Sequence, residues 1–206
     1  MKRKFIKISV YITVSLVSAF VFTYAVTLQN MQNSFDSELY DNVIRLHILA
    51  DSDSEKDQKA KLAVRDGVKD YIYTLVSEAE NKDEADIIIK NNLQNIENKV
   101  KDTVSELGYT YKTQVFFENE YYPVRYYEGF AFPSGDYKSL KITLGSGEGK
   151  NWWCVLYPTV CNSMATDVDK KLKSAGISEN TAKMICSESK EYEYGLYILE
   201  LFKRKK

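Results

Sequence analysis

The sequence is poor in the residue types that most often carry chemistry. One histidine (His47) and three cysteines occur in 206 residues. That is too few for a multi-histidine catalytic centre and makes a zinc site, with its four Cys or His ligands, improbable. A cationic surplus is missing too. Lys and Arg total 28 against 29 Asp and Glu, a formal charge of −1, whereas a nucleic-acid binder needs excess cation to displace phosphate counterions. No internal repeat and no proline- or glycine-rich linker divides the chain. What is present is 44% hydrophobic and 28% charged, a balance that packs a core and excludes disorder. The length suits one ordinary domain or two very small ones.

Charge and apolarity are first segregated near the start. Lys2, Arg3, Lys4 and Lys7 precede an uncharged stretch from Ile8 to Leu28, 21 residues long, and about 20 apolar residues span a bilayer as a helix. The next charges, Asp36, Glu38 and Asp41, are acidic. The positive-inside rule then keeps the N-terminus in the cytoplasm and translocates residues 36–206. A cleaved signal peptide has a shorter apolar region, roughly 7–15 residues, and a small-x-small site. Thr23-Tyr24-Ala25 is a mediocre site, so an uncleaved anchor is the better fit. A buried core helix is the least suitable reading, because the stretch has no polar face. The expected division is residues 1–29 as signal peptide or membrane anchor, 30–42 as a polar tether, and 43–206 as the exported domain. The translocated residues 36–206 carry 24 positive and 29 negative charges, a net of −5.

Within the domain, Val43–Ala50 reads as a strand with Ile44, Leu46 and Ile48 on one face and Arg45 and His47 on the other. Ser54 with Asp57 is a capping signal for a helix striped by Ala60, Val64, Val68, Tyr71, Ile72 and Leu75. A second helix is expected from Asp83 to Leu107, striped by Ile89, Leu93, Ile96, Val100, Val104 and Leu107 and stopped by Gly108. Between Tyr109 and Tyr137 the chain turns tyrosine- and phenylalanine-rich, which favours strands. Strands are predicted at Thr110–Phe117, Tyr122–Tyr127, Ser139–Leu144 and Trp152–Leu156, with Gly145–Gly149 as a hairpin between the last two. Two short helices near Ala165–Ser174 and Glu179–Ser187 follow, then an apolar segment, Tyr192–Phe202, that suits a strand or a helix. This order predicts an α+β domain, two helices packed on a mixed or antiparallel sheet, preceded by an N-terminal transmembrane or signal helix.

Several motifs carry less than they suggest. The glycine loop lacks a following GK[ST] and opens no helix, so it is not a phosphate cradle. Asp51-x-Asp53-x-Glu55 starts like a calcium loop, but Lys56 stands at its sixth position and Leu62 at its twelfth. Arg45, Arg65 and Asp66 suggest a structural ion-pair cluster. Trp152 and Trp153 must point to opposite faces of a strand, so one is expected in the helix–sheet interface and the other towards solvent or a partner. Cys154 and Cys161 suit an oxidising compartment and a possible disulfide, with Cys186 left over. The basic end Lys203–Lys206 reads as a solvated tail, or as a contact for an anionic membrane.

Two runs carry a resemblance. Val43-Ile44-Arg45-Leu46-His47-Ile48-Leu49-Ala50-Asp51-Ser52-Asp53-Ser54, with Asp57-Gln58, Lys61 and Val64-Arg65-Asp66, resembles the N-terminal signature of the stage II sporulation protein R family. Gly147-Glu148-Gly149-Lys150-Asn151-Trp152-Trp153-Cys154-Val155-Leu156-Tyr157-Pro158, with Cys161, resembles its second signature. The likeness covers most of residues 1–162 and then fades. It departs at Asp51, where the family commonly has Asn, and at Thr159, where the family has another proline or a bulky residue. The resemblance implies a signalling protein of endospore formers, made in the forespore and exported to the space between two membranes. There such proteins activate a membrane-embedded aspartic protease, stage II sporulation protein GA, which processes pro-sigma-E. It implies no cofactor and no catalysis. Arg45, His47, Asp51, Arg65, Asn151, Trp152 and Trp153 are then the candidate partner-binding or scaffold residues.

Two readings from other classes compete. One is an extracytoplasmic hydrolase acting on cell wall or peptide with Cys154 as nucleophile and His47 as base. The other is a purely structural envelope protein. The apolar segment itself gives a direct expectation: mass spectrometry of the exported protein should find residues 1–29 still attached. A species beginning after Ala25 would show a cleaved signal peptide instead.

Overall fold

A computed structural model describes residues 2–160 and 165–186. Helix α1 (Lys2–Tyr40) contains a stretch, Lys7–Asn30, long and apolar enough to cross a membrane. Its large apolar side chains are exposed, from Ile8 at 54% to Phe20 at 72% and Leu28 at 48%. A core helix would bury them, so that reading is overturned. The chain separates into two compact units, residues 1–37 and 38–206.

Residues 30–40, where a tether was expected to begin, continue α1 as helix. The last turn belongs to the second unit and is docked there: Leu39 is fully buried, and the Tyr40 hydroxyl donates to Ser134 O at 2.8 Å. Glu38 accepts from the Ser178 backbone N–H and from the Thr181 hydroxyl (2.6 Å). Burial would raise its carboxyl pKa, but the bonds from Thr181 and Ser178 outweigh this and lower it.

The second unit is built on a four-stranded mixed sheet. Strand β1 (Ile44–Leu49) leads to α2 (Glu55–Leu75), capped by the Ser54 hydroxyl accepting from Asp57 N–H at 3.1 Å. The single long helix expected next is two, α3 (Lys82–Asn91) and α4 (Leu93–Glu106). Asn92 breaks the run by turning its amide back to Ile88 O at 2.9 Å, a local bond that competes with helix continuation. The expected stripe survives the break except at Leu107, which is 46% exposed. Then come β2 (Thr113–Tyr122), a small hairpin of β3 (Arg125–Tyr127) and β4 (Phe130–Phe132), β5 (Gly135–Leu144) and β6 (Asn151–Tyr157). Helices α5 (Ala165–Ser174) and α6 (Glu179–Cys186) follow. The expected element at Tyr192–Phe202 and the basic end Lys203–Lys206 lie outside the described residues.

The strand order is β2-β5-β1-β6, with β1 parallel to β5 and antiparallel to β6. One face packs on the helices: Ile44, Leu46, Ile48, Leu140, Ile142 and Cys154 join Val64, Val68, Ile72, Ile89, Ile96 and Val100 in one buried cluster. Fully burying an aliphatic side chain stabilises by about 1.5–3 kcal/mol, so this face holds the domain together.

Strands β5 and β6 are not a hairpin, because β1 lies between them. The glycine loop crosses the C-terminal end of β1 and lies against residues 50–53. Gly149 N–H donates to Ala50 O (2.9 Å), Ser146 N–H to Asp51 Oδ1 (2.6 Å) and Lys150 N–H to Asp53 Oδ1 (2.8 Å). The crossing explains the glycines. A Cβ on Gly149 would stand 2.3 Å from Ser52 O, and one on Gly145 would stand 2.0 Å from Asp51 Oδ1, at a φ of +60°. Gly145→Ala should therefore cost about 2 kcal/mol or more of unfolding free energy. Asp51→Asn keeps an acceptor for Ser146 and should cost less than about 1 kcal/mol. Chemical denaturation of both variants checks the contrast.

Candidate functional site

The same crossing locks the two signature runs together. Ser52 and Tyr111 hydroxyls donate to the Asp57 carboxylate and, with Ser54, hold it below the usual carboxylate range. Lys61, buried on α2, donates to Gln58 Oε1 (2.6 Å) and Lys150 O (2.8 Å), and burial pushes its pKa down. Asp51, Asp53, Asp57, Gln58 and Lys61 thus join strand, helix and loop. Their role is to seat β6 beside β1, and Asp51 and Asp53 spend a carboxylate oxygen each on backbone N–H groups instead of a cation. Among the described residues no group of three or more His, Cys, Asp or Glu is placed to hold a metal.

Antiparallel pairing of β1 with β6 sets Leu46 opposite Cys154 and His47 opposite Trp153. Directly paired residues share a face. Cys154 therefore lies in the helix-side core, with Trp152 opposite Ile48, while His47 and Trp153 lie on the other face. Cys154 is disulfide-bonded and Cys186 is free; Cys161 lies outside the described residues. A half-cystine on the opposite face from His47 cannot be its nucleophile, so the Cys154–His47 pairing is overturned. Arg45 is likewise not clustered with Arg65 and Asp66. Arg65 binds Asp66 bidentately (2.7 and 2.8 Å) and lies over Trp152 at 4.4 Å on the helix side, whereas Arg45 points to the opposite face. Both tryptophans are half-buried, so neither is the exposed ring that was expected.

The face away from the helices gathers His47, Asn151 and Trp153 with residues that sequence reasoning missed. His47 stacks on Trp153, centroids 3.7 Å apart and 13° from parallel. Its Nδ1 is 2.9 Å from Glu120 Oε1 and its Nε2 is 2.8 Å from Asn151 Oδ1. Glu120 also pairs with Lys141 (3.0 Å) and accepts from the Ser139 hydroxyl (3.1 Å), which is bonded to the Tyr122 hydroxyl (2.7 Å). Burial would raise the Glu120 carboxyl, but bonds from His47 and Lys141 overcome it and bring it down to about 2. Burial pushes the Tyr122 hydroxyl upward, so it stays neutral.

Beneath the β3–β4 hairpin this face is closed by rings around Arg45. The guanidinium is fully buried and lies 4.5 Å from the Tyr122 centroid, 5.1 Å from Phe132 and 5.0 Å from Tyr137. Its Nε donates to Cys154 O (3.0 Å) and its Nη2 to the Tyr127 hydroxyl (2.9 Å). Arg125, at the hairpin's start and half-buried, stacks over Trp153 at 4.7 Å. The signal for the missed residues was the alternation Glu118-x-Glu120-x-Tyr122 inside the aromatic stretch, which places all three on one side of a strand. Both ring nitrogens of His47 are engaged, and the imidazole itself is buried.

The chain was compared with known proteins. The family model described as stage II sporulation protein R matches residues 22–193. Stage II sporulation protein R of Bacillus subtilis (strain 168) is 36% identical over 160 residues, which cover 77% of this chain and 71% of that protein. No solved structure matches.

The buried carboxylate gives a pH prediction. Glu120 ionises at about 2 in the folded protein, below its ordinary value of 4.5. A depressed folded-state pKa adds stability that is complete above about pH 5 and is lost as pH falls towards 2. Solvent screening reduces the effect to about 2 kcal/mol. Denaturation curves between pH 6 and pH 2.5 should therefore fall more steeply for the native protein than for Glu120→Gln.

Proposed function

Since this chain belongs to the stage II sporulation protein R family, we propose that it is an intercellular signal of sporulation that works by contact. On this reading the forespore exports residues 36–206, and α1 anchors the domain or directs its export. The domain, facing the intermembrane space, then engages the membrane-embedded aspartic protease stage II sporulation protein GA, which processes pro-sigma-E. No cofactor, nucleic acid or bond-breaking step enters.

The observation that carries this reading is the platform of Trp153 and Arg125 on the sheet face away from the helices, backed by the buried His47 ring. A ligand shifts a two-state receptor only through differential affinity, and moving it from 1:99 to 99:1 takes about 5.5 kcal/mol. Flat rings and an arginine are the residue types that concentrate binding energy in interfaces. The hydrolase alternative loses its support, because the thiol it requires is oxidised and faces the helices.

The test is a sigma-E-dependent reporter, with pro-sigma-E processing followed by immunoblot, in cells carrying single substitutions. Trp153→Ala should lower the reporter at least tenfold while export and the thermal transition are retained. Trp152→Ala, on the helix side, should act through stability instead. A Trp153→Ala protein that is exported, folded and fully active would remove this face as the contact.

A further inference from the structure

The hairpin side of the platform holds two cations without an anion. Among the described residues, neither Arg45 nor Arg125 pairs with an Asp or Glu. Arg45 Nη1 and Arg125 Nε are both buried and have no hydrogen-bond partner. Burial lowers the Arg125 pKa, offset in part by Tyr127 and Tyr122, with Arg45 adding to the lowering. On this face Glu120 is already committed to His47 and Lys141, and Glu118 lies further along β2, opposite Ser139. Buried polar groups in folded proteins are nearly always satisfied, and a guanidinium left unsatisfied beside a second one is a socket for an anion.

We propose that Arg125, backed by Arg45, receives a carboxylate side chain of a partner polypeptide. This rests on the contact reading above and names the chemistry of that contact. The platform around Arg125 is made of rings, with Trp153 under it and Tyr127 beside it on β3. Such surroundings favour a peptide side chain, which brings apolar atoms with its charge, over a fully hydrated phosphate. The net charge of −5 over residues 36–206 also opposes broad attraction to an anionic bilayer or nucleic acid. Recognition is thereby confined to one carboxylate, held in the plane of the guanidinium while its chain lies across the indole.

The test uses the full chain in uncharged detergent, with tryptophan fluorescence as the readout, since Arg125 covers Trp153. The probes are acetyl-triglutamate amide, acetyl-triglutamine amide and inorganic phosphate. Triglutamate should give a saturable change, triglutamine none, and phosphate binding at least tenfold weaker than triglutamate. Arg125→Gln should weaken triglutamate at least tenfold with an unchanged circular dichroism spectrum. If that variant does not fold, Arg125→Lys serves, since it keeps the charge but loses the planar fork and should weaken binding severalfold. An unchanged affinity in the variants, no saturable response in the native protein, or phosphate binding as tight as peptide would each overturn the proposal. Arg125→Gln that loses the peptide yet signals fully would overturn the partner assignment while leaving the messenger role intact. Failure of the native gene to support the reporter would sink the messenger role, with the titration still judging the site.

Discussion

The passage of residues 145–150 over the end of β1 is the constraint on which the rest of the domain depends. It brings β6 to the far side of β1 from β5, and so decides which residues oppose which across the sheet. Three glycines make it possible, because the loop backbone lies within hydrogen-bond distance of Ala50 and Asp51. Two aspartates anchor it by accepting its N–H groups. Were β5 and β6 paired directly, His47 would lose Trp153 as its neighbour and the platform would not exist.

The two faces of the sheet divide the labour. The helix side is apolar and continuous, the ordinary source of stability for a domain of this size. The other side is polar and aromatic, closed at one end by a small hairpin over a buried arginine and half-open at the other. A buried charge ringed by aromatics is costly to assemble and is weak evidence for stability. Its value lies in setting the positions of Tyr122, Tyr127 and the hairpin, which in turn hold Arg125 over Trp153. Binding surfaces profit from such fixed rings, because little side-chain entropy remains to be lost on contact.

Signature residues in this chain fall into two physical groups that look alike in sequence. Asp51, Ser52, Asp53, Asp57 and Lys61 are consumed by the crossing, where their polar atoms satisfy backbone groups of the loop and helix start. His47, Asn151 and Trp153 lie together on the sheet face away from the helices, His47 buried, Trp153 half-buried and Asn151 exposed. Arg65 and Trp152 belong to neither, since they pack on each other at the helix side.

Local pattern was sufficient for much of this. Alternation marked β1 and its two faces, a serine three residues before an aspartate marked the start of α2, and aliphatic spacing marked the helical cores. The apolar run with its basic flank marked α1. These signals survive because each depends on neighbours within one turn or one pleat. Pairing partners do not, and there the reading of residues 145–149 as a hairpin failed: chain proximity suggested contact between β5 and β6, whereas the long-range pairing of β1 with both strands was stronger. The helix break at Asn92 and the docking of residues 38–40 escaped for a similar reason, one a side-chain bond to a backbone carbonyl and the other a contact with residues more than ninety positions away. The amino-acid sequence alone therefore determined which segments are apolar, helical or extended. Only the tertiary structure decided that His47 meets Glu120 and Trp153 instead of Cys154, because strand order, set by global packing, chooses the neighbour across the sheet.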